Sequence, residues 1–153
     1  MMTGGVVVVA AAGVTAGLLL SGAGSGGPVS RARLYANVDE CLLTGAQGVS
    51  AAPDSQVWQT MEDVSLATRA RVSYLQVEGP ATAANAAGFL GSLLVRGCRV
   101  VVAADGPERA AVLAAAPRFP SVRFVVVGDG SAHVTGVPAS LTGLRSAITS
   151  GLA

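Results

Sequence analysis

Few residues of this chain have the chemistry to act on another molecule, and those few form hydrogen bonds; none makes a catalytic set. Thr44, Gln47, Ser50 and Asp54 fall within TGAQGVSAAPD, directly after the apolar run CLL. Asp105 follows RVVVAA, and Asp129 follows RFVVV inside the glycine pair Gly128 and Gly130. Hydroxyl, amide and carboxylate groups placed this way can orient a small polar solute. The same residue types also cap helices and close turns, so both uses are open at each position. Catalytic groupings are missing. His133 is the single histidine, and no CxxC, HExxH or GxxxxGK[ST] occurs. Asp129, Ser131 and His133 are spaced i, i+2, i+4 along one loop, which does not make a triad, and His133 reads as a surface residue. No helix begins behind Gly128 and Gly130 at phosphate-binding spacing, so a dinucleotide fingerprint fails. The expectation is a protein that is not an enzyme, with no cofactor and no metal.

The elements that must position these residues are legible. Residues 99–104 and 123–127 are short, β-branched and without alternation, as strands buried on both faces of a parallel sheet read. Between them an alanine-rich stretch opens on Asp105-Gly106-Pro107-Glu108 and stops at Pro117. Proline suits a first helical turn and a carboxylate suits its N-terminal end, so the unit is βαβ. Upstream, residues 41–44 predict a strand, Pro53-Asp54 a helix start, and Val57, Met61 and Val64 one helical face. Residues 72–77 alternate and predict an outer strand. Thr82 can cap a helix whose face is Ala86, Phe89, Leu90, Leu93 and Leu94, ended by Gly97. Residues 133–137 read as a short extended piece, and Leu141, Leu144 and Ile148 as one side of a last helix. Residues 34–38 are an edge strand or a lead-in. The fold class is α/β: a doubly wound parallel sheet of about five strands, order 2-1-3-4-5. In such sheets ligands lie beyond the carboxyl ends of the strands where strand order reverses, and here that brings residues 44–54 and 104–109 together. Adjacent Glu62 and Asp63 read as a solvated helix face, and Trp58 beside Met61 as packing.

The N-terminus is compositionally separate. Residues 6–20 (VVVVAAAGVTAGLLL) carry no charge and have no polar face, so residues 1–23 predict a hydrophobic helix serving as a signal peptide or membrane anchor. Residues 24–33 read as a flexible linker and residues 34–153 as a single lobe. Cys41 and Cys98 both fall at the first residue of a predicted strand, and those strands should be neighbours. Behind an export segment that arrangement favours a disulfide over two separate buried thiols. A net charge of +1, with no basic run or interleaved aromatics, argues against a nucleic-acid partner.

Two stretches, CLLTGAQGVSAAPDSQVWQTMEDVSLATRARVSYLQV and RGCRVVVAADGPERAAVLAAAPRFPSVRFVVVGD, resemble the basic membrane protein family. Its members are ABC-transporter substrate-binding lipoproteins with the type I periplasmic-binding-protein fold, several of them nucleoside binders. The likeness runs from about Cys41 to Asp129 and is nearest to short actinobacterial members. It implies an exported, membrane-associated or secreted protein with a transport-linked or solute-sensing role. A small polar solute such as a nucleoside would be its ligand, and a membrane transporter or a second lobe-like surface its partner. The chain departs from the family in three ways. It is long enough for one lobe, where the family has two. Ser50, Ala51, Ala52, Pro53 and Asp54 stand where the family has an Asp-Lys-Ser-Phe-Asn-like run, and Asp105-Gly106 stands where an aromatic often lies. Ala23 follows Leu20-Ser21-Gly22 where a lipidated cysteine would be. The alternative reading is a non-catalytic extracytoplasmic structural or partner-binding module that has lost the ligand site.

Overall fold

Short β-branched runs form the strands, and the runs with helical periodicity pack against both sides of them. The computed structural model describes residues 34–150; the hydrophobic segment and linker read at residues 1–33 lie outside them. The strands are β1 (Asp39–Thr44), β2 (Arg71–Gln76), β3 (Val100–Ala103), β4 (Arg123–Val127) and β5 (Val134–Val137). The helices are α1 (Asp54–Thr68), α2 (Ala83–Val95), α3 (Gly106–Ala115) and α4 (Leu144–Thr149). All five strands are parallel, in the order β2-β1-β3-β4-β5, as the alternation of sequence patterns predicts.

Strand parity sorts the core into two layers. Cys41, Leu43, Val101, Ala103, Phe124 and Val126 pack with Leu90 and Leu93 of α2 and Val112 of α3. On the opposite face Leu42, Val100, Val102 and Val125 meet Val57, Met61 and Val64 of α1 and Leu144 and Ile148 of α4. Burying each such side chain contributes roughly 1.5–3 kcal/mol. β1 and β3 are covered on both faces, which is why they read as unbroken apolar runs. β2 is an edge strand, exposed or half-buried along its whole length. Thr82 caps α2 by accepting the Asn85 N–H at 3.2 Å, and Gly97 ends its turn at φ +88°. Residues 34–38 form no strand. They are a lead-in, fixed by the Ala36 N–H donating to the Arg69 carbonyl at 2.8 Å.

The expected disulfide is present. Cys41 and Cys98 are bonded, with Cα atoms 5.9 Å apart. Their positions differ from the expectation, since Cys41 lies inside β1 and Cys98 just ahead of β3. β1 begins earlier because the Arg71 N–H donates to Val38 and the Arg99 N–H to Asp39, at 2.9 and 2.8 Å. Those bonds draw the polar residues Asp39 and Glu40 into the ladder, and an apolar pattern omits them.

Parallel strands usually need a crossover of a dozen or more residues, yet residues 128–133 alone join β4 to β5. The return lies flat against β5. The Gly128 N–H donates to the Val137 carbonyl at 2.6 Å and the Ser131 N–H to that of Val134 at 2.9 Å. Any side chain on Gly130 would collide with the Val134 carbonyl, and one on Gly136 with the Gly128 carbonyl. Glycine at both positions is what lets the two backbones touch.

Candidate functional site

β1 and β3 are neighbours whose following helices, α1 and α3, sit on opposite faces, so the crevice between their carboxyl ends is the reversal point of this sheet. From β1 the chain enters a single 3-10 turn, Gly48–Ser50, and reaches α1 after Pro53. Side chains from outside the turn help to hold this loop: the Gly45 N–H donates to Asp54 Oδ2 at 3.3 Å, and Gln76 Nε2, from the end of β2, donates to the Ala46 carbonyl. Gly48 must be glycine here, with φ +58° and the Gln76 amide against it.

Asp54 is 9% exposed. Burial pushes its carboxyl up to about 6; the Gly45 N–H opposes this, and the charges of Asp105 and Glu108 add to it. Asp105 is the exposed N-cap residue of α3, with no side-chain capping bond. Glu108, in the first turn of α3, is 6% exposed and turns back over the β1 end, so that a Cβ on Gly45 would lie 3.9 Å from both of its carboxylate oxygens. Carboxylates from the starts of α1 and α3 thus lie near one another at the carboxyl ends of β1 and β3. They can accept hydrogen bonds from hydroxyl or amine groups of a solute.

The other expected residues divide. Thr44 is fully buried beneath the crevice and donates to the Leu75 carbonyl at 3.4 Å. Gln47 and Ser50 are exposed, and Ser50 Oγ donates to the Gln47 carbonyl at 2.6 Å, within their own turn. Asp129 is exposed one strand further on, in a groove of about 610 Å³ with Gly136 and Pro138. Arg109 Nη2 donates to its carbonyl at 2.7 Å and so ties that turn to α3. Trp58 packs edge-on against Tyr74, ring centroids 5.3 Å apart. Asp63 meets Arg145 of α4 at 3.2 Å. Among the described residues no group of His, Cys, Asp and Glu could hold a metal ion. Glu108 and Arg109 were not foreseen. Glu108 reads as an ordinary helix-start carboxylate, and only the αβ packing turns it inward.

No protein-family model matches the chain. No curated protein matches it either. Among solved structures it is similar to a fragment named as a lipoprotein from Peptoclostridium difficile 630. The TM-score is 0.63 at 8% identity, over 76% of this chain and 99% of that one. It is also similar to an ABC transporter system solute-binding protein from Conexibacter woesei DSM 14684. There the TM-score is 0.54 at 23% identity, over 65% of this chain and 34% of that one. The likeness is one of fold alone. The matched region spans about a third of the solute-binding protein's length.

Proposed function

We propose that this chain is an extracytoplasmic, single-lobe relative of ABC-transporter solute-binding proteins, in the manner of the basic membrane protein family, and that it is not an enzyme. The observation that carries this reading is the reversal point between β1 and β3, where Asp54 at the start of α1 lies near Asp105 and Glu108 at the start of α3. Carboxylates accept from vicinal hydroxyls, which suits a nucleoside or another hydroxylated solute. The fold shared with a solute-binding protein supports the same reading. The Cys41–Cys98 disulfide favours an oxidising compartment, and residues 1–23 would deliver the lobe there as a signal peptide or membrane anchor. A single lobe offers half a cleft. This reading calls for a second surface over the crevice, from a second lobe, a second copy or a transporter component. A thermal-shift screen of the full chain against nucleosides and other small solutes tests it. Stabilisation by a hydroxylated solute is expected at solute concentrations of about millimolar and above for the monomer, and is lost in Asp54→Ala; no response to any solute at those concentrations contradicts it.

One observation favours the alternative of a partner-binding module. Thr44 and Ser50 donate to backbone carbonyls of the lobe itself, so part of the expected polar set serves the fold. In that case a partner protein, with no solute, would occupy the crevice.

A further inference from the structure

At the opposite end of the sheet, a groove of about 560 Å³ opens along the N-terminal edges of β3, β4 and β5. That size lies within the usual range for small-molecule sites, roughly 300–1,000 Å³. Arg99, Arg123 and His133 line it, together with the hydroxyl residues Ser121 and Thr135, and no Asp or Glu does. Phe119 gives it an apolar wall.

Both arginines are fixed at the backbone. The Arg99 N–H donates to Asp39 at 2.8 Å, and the Arg99 carbonyl accepts the Arg123 N–H at 2.9 Å. The disulfide at Cys98 holds the residue before Arg99. Strand register puts Arg123 in one row with Val100 and Glu40, and Arg99 lies immediately ahead of β3. Both arginines line the groove. Neither makes a side-chain hydrogen bond or ion pair among the described residues, and Arg123 Nε is buried with no partner at all. Glu40, the carboxylate in the same row, lies beyond Val100 and bonds to neither. A buried guanidinium donor without an acceptor is costly, and a planar oxyanion is the group whose geometry satisfies it.

We propose that this groove binds a small solute bearing an oxyanion, a carboxylate or a phosphate, through Arg99 and Arg123, with His133 and the hydroxyls supplying further donors. The site is separate from the carboxylate crevice and does not depend on the solute-binding reading of it.

Calorimetry on the full chain at low ionic strength, with inorganic phosphate in one arm and succinate in the other, tests this. Saturable binding in at least one arm is expected, weakened about tenfold or more in both Arg99→Gln and Arg123→Gln. The responding arm identifies the headgroup. Arg123→Lys keeps the charge but loses the planar fork, and should bind more weakly than the parent. Arg69→Gln, beside the far edge strand β2, makes the same charge change and should leave binding intact. Circular dichroism and melting of each variant without ligand separate misfolding from loss of the site. No saturable binding in either arm overturns the proposal. So does equal binding in folded Arg99→Gln and Arg123→Gln, or a loss in Arg69→Gln matching theirs.

Discussion

Asp54 Oδ2 accepts the Gly45 N–H at 3.3 Å, so one carboxylate closes the loop between β1 and α1 while facing Asp105 and Glu108. The bond stabilises the ionised form, but burial and the two like charges outweigh it, and the carboxyl is raised from 3.8 to about 6. Between these values the folded state binds more protons than the unfolded chain. This contribution to stability is full below about pH 4, falls as pH rises, and is gone above about pH 6. The shift corresponds to on the order of 2–3 kcal/mol. Urea unfolding at a series of pH values should show that decline, and Asp54→Asn should flatten it in this window. An unchanged slope in the variant would place the titration elsewhere.

Glu40 is the second group of this kind. It is fully buried in β1 between Val72 and Val100, and neither carboxylate oxygen has a partner. Burial alone raises it from 4.5 to about 7. Its stabilising contribution is therefore present below about pH 4.5 and lost as pH rises through about 7. Glu40→Gln should stabilise the protein at pH 8 by up to roughly 3 kcal/mol and have little effect at pH 4. Equal unfolding midpoints for parent and variant at pH 8 would show that the carboxylate is solvated.

The Cys41–Cys98 bond closes a sequence separation of 57 residues, worth roughly 4 kcal/mol in the chain-entropy model. Reduction, or Cys98→Ala, should lower stability by about that amount. Mass spectrometry of non-reduced protein recovered from an oxidising compartment should find both thiols blocked; two free thiols would refute the linkage.

Gly130 and Gly136 set backbone against backbone where residues 128–133 return from β4 to β5. Gly136→Ala should cost at least about 1–3 kcal/mol, the scale of overpacking, whereas Gly88→Ala on α2, where a Cβ meets nothing, should be neutral or stabilising by a few tenths to about 1 kcal/mol. Equal melting temperatures for both variants would mean that the return does not pack as described.

Sheet order was legible in the sequence because residues 41–43 of β1 and all of β3 are unbroken apolar runs, residues 72–77 read as an outer strand, and Pro53, Thr82, Pro107 and Gly97 punctuate the helices. Val57, Met61 and Val64 read as a buried face and are one. The start of β1 was hidden because Asp39 and Glu40 are polar, and a ladder accepts any backbone. The short β4–β5 return was hidden because it depends on two glycines meeting in space. At the crevice, the loops were legible from topology, but the direction of each side chain was not. Thr44 turns inward, Ser50 bonds to its own turn, and Glu108 folds in from a position that reads as helix-start decoration.

The central claim is that the crevice binds a hydroxylated solute only when a second surface covers it. Asp105 is open to water, where a hydrogen bond nets about 1 kcal/mol, too little to offset the freedom a small ligand loses on binding. Calorimetry with a nucleoside series, run on the full chain first as a demonstrated monomer and then at concentrations where it self-associates, is the direct measurement. The account predicts monomer affinity no tighter than about millimolar, or −4 kcal/mol, and markedly tighter binding in the assembly, lost in Asp54→Ala. Micromolar binding by the monomer, abolished by Asp54→Ala, would contradict it by showing that one lobe suffices.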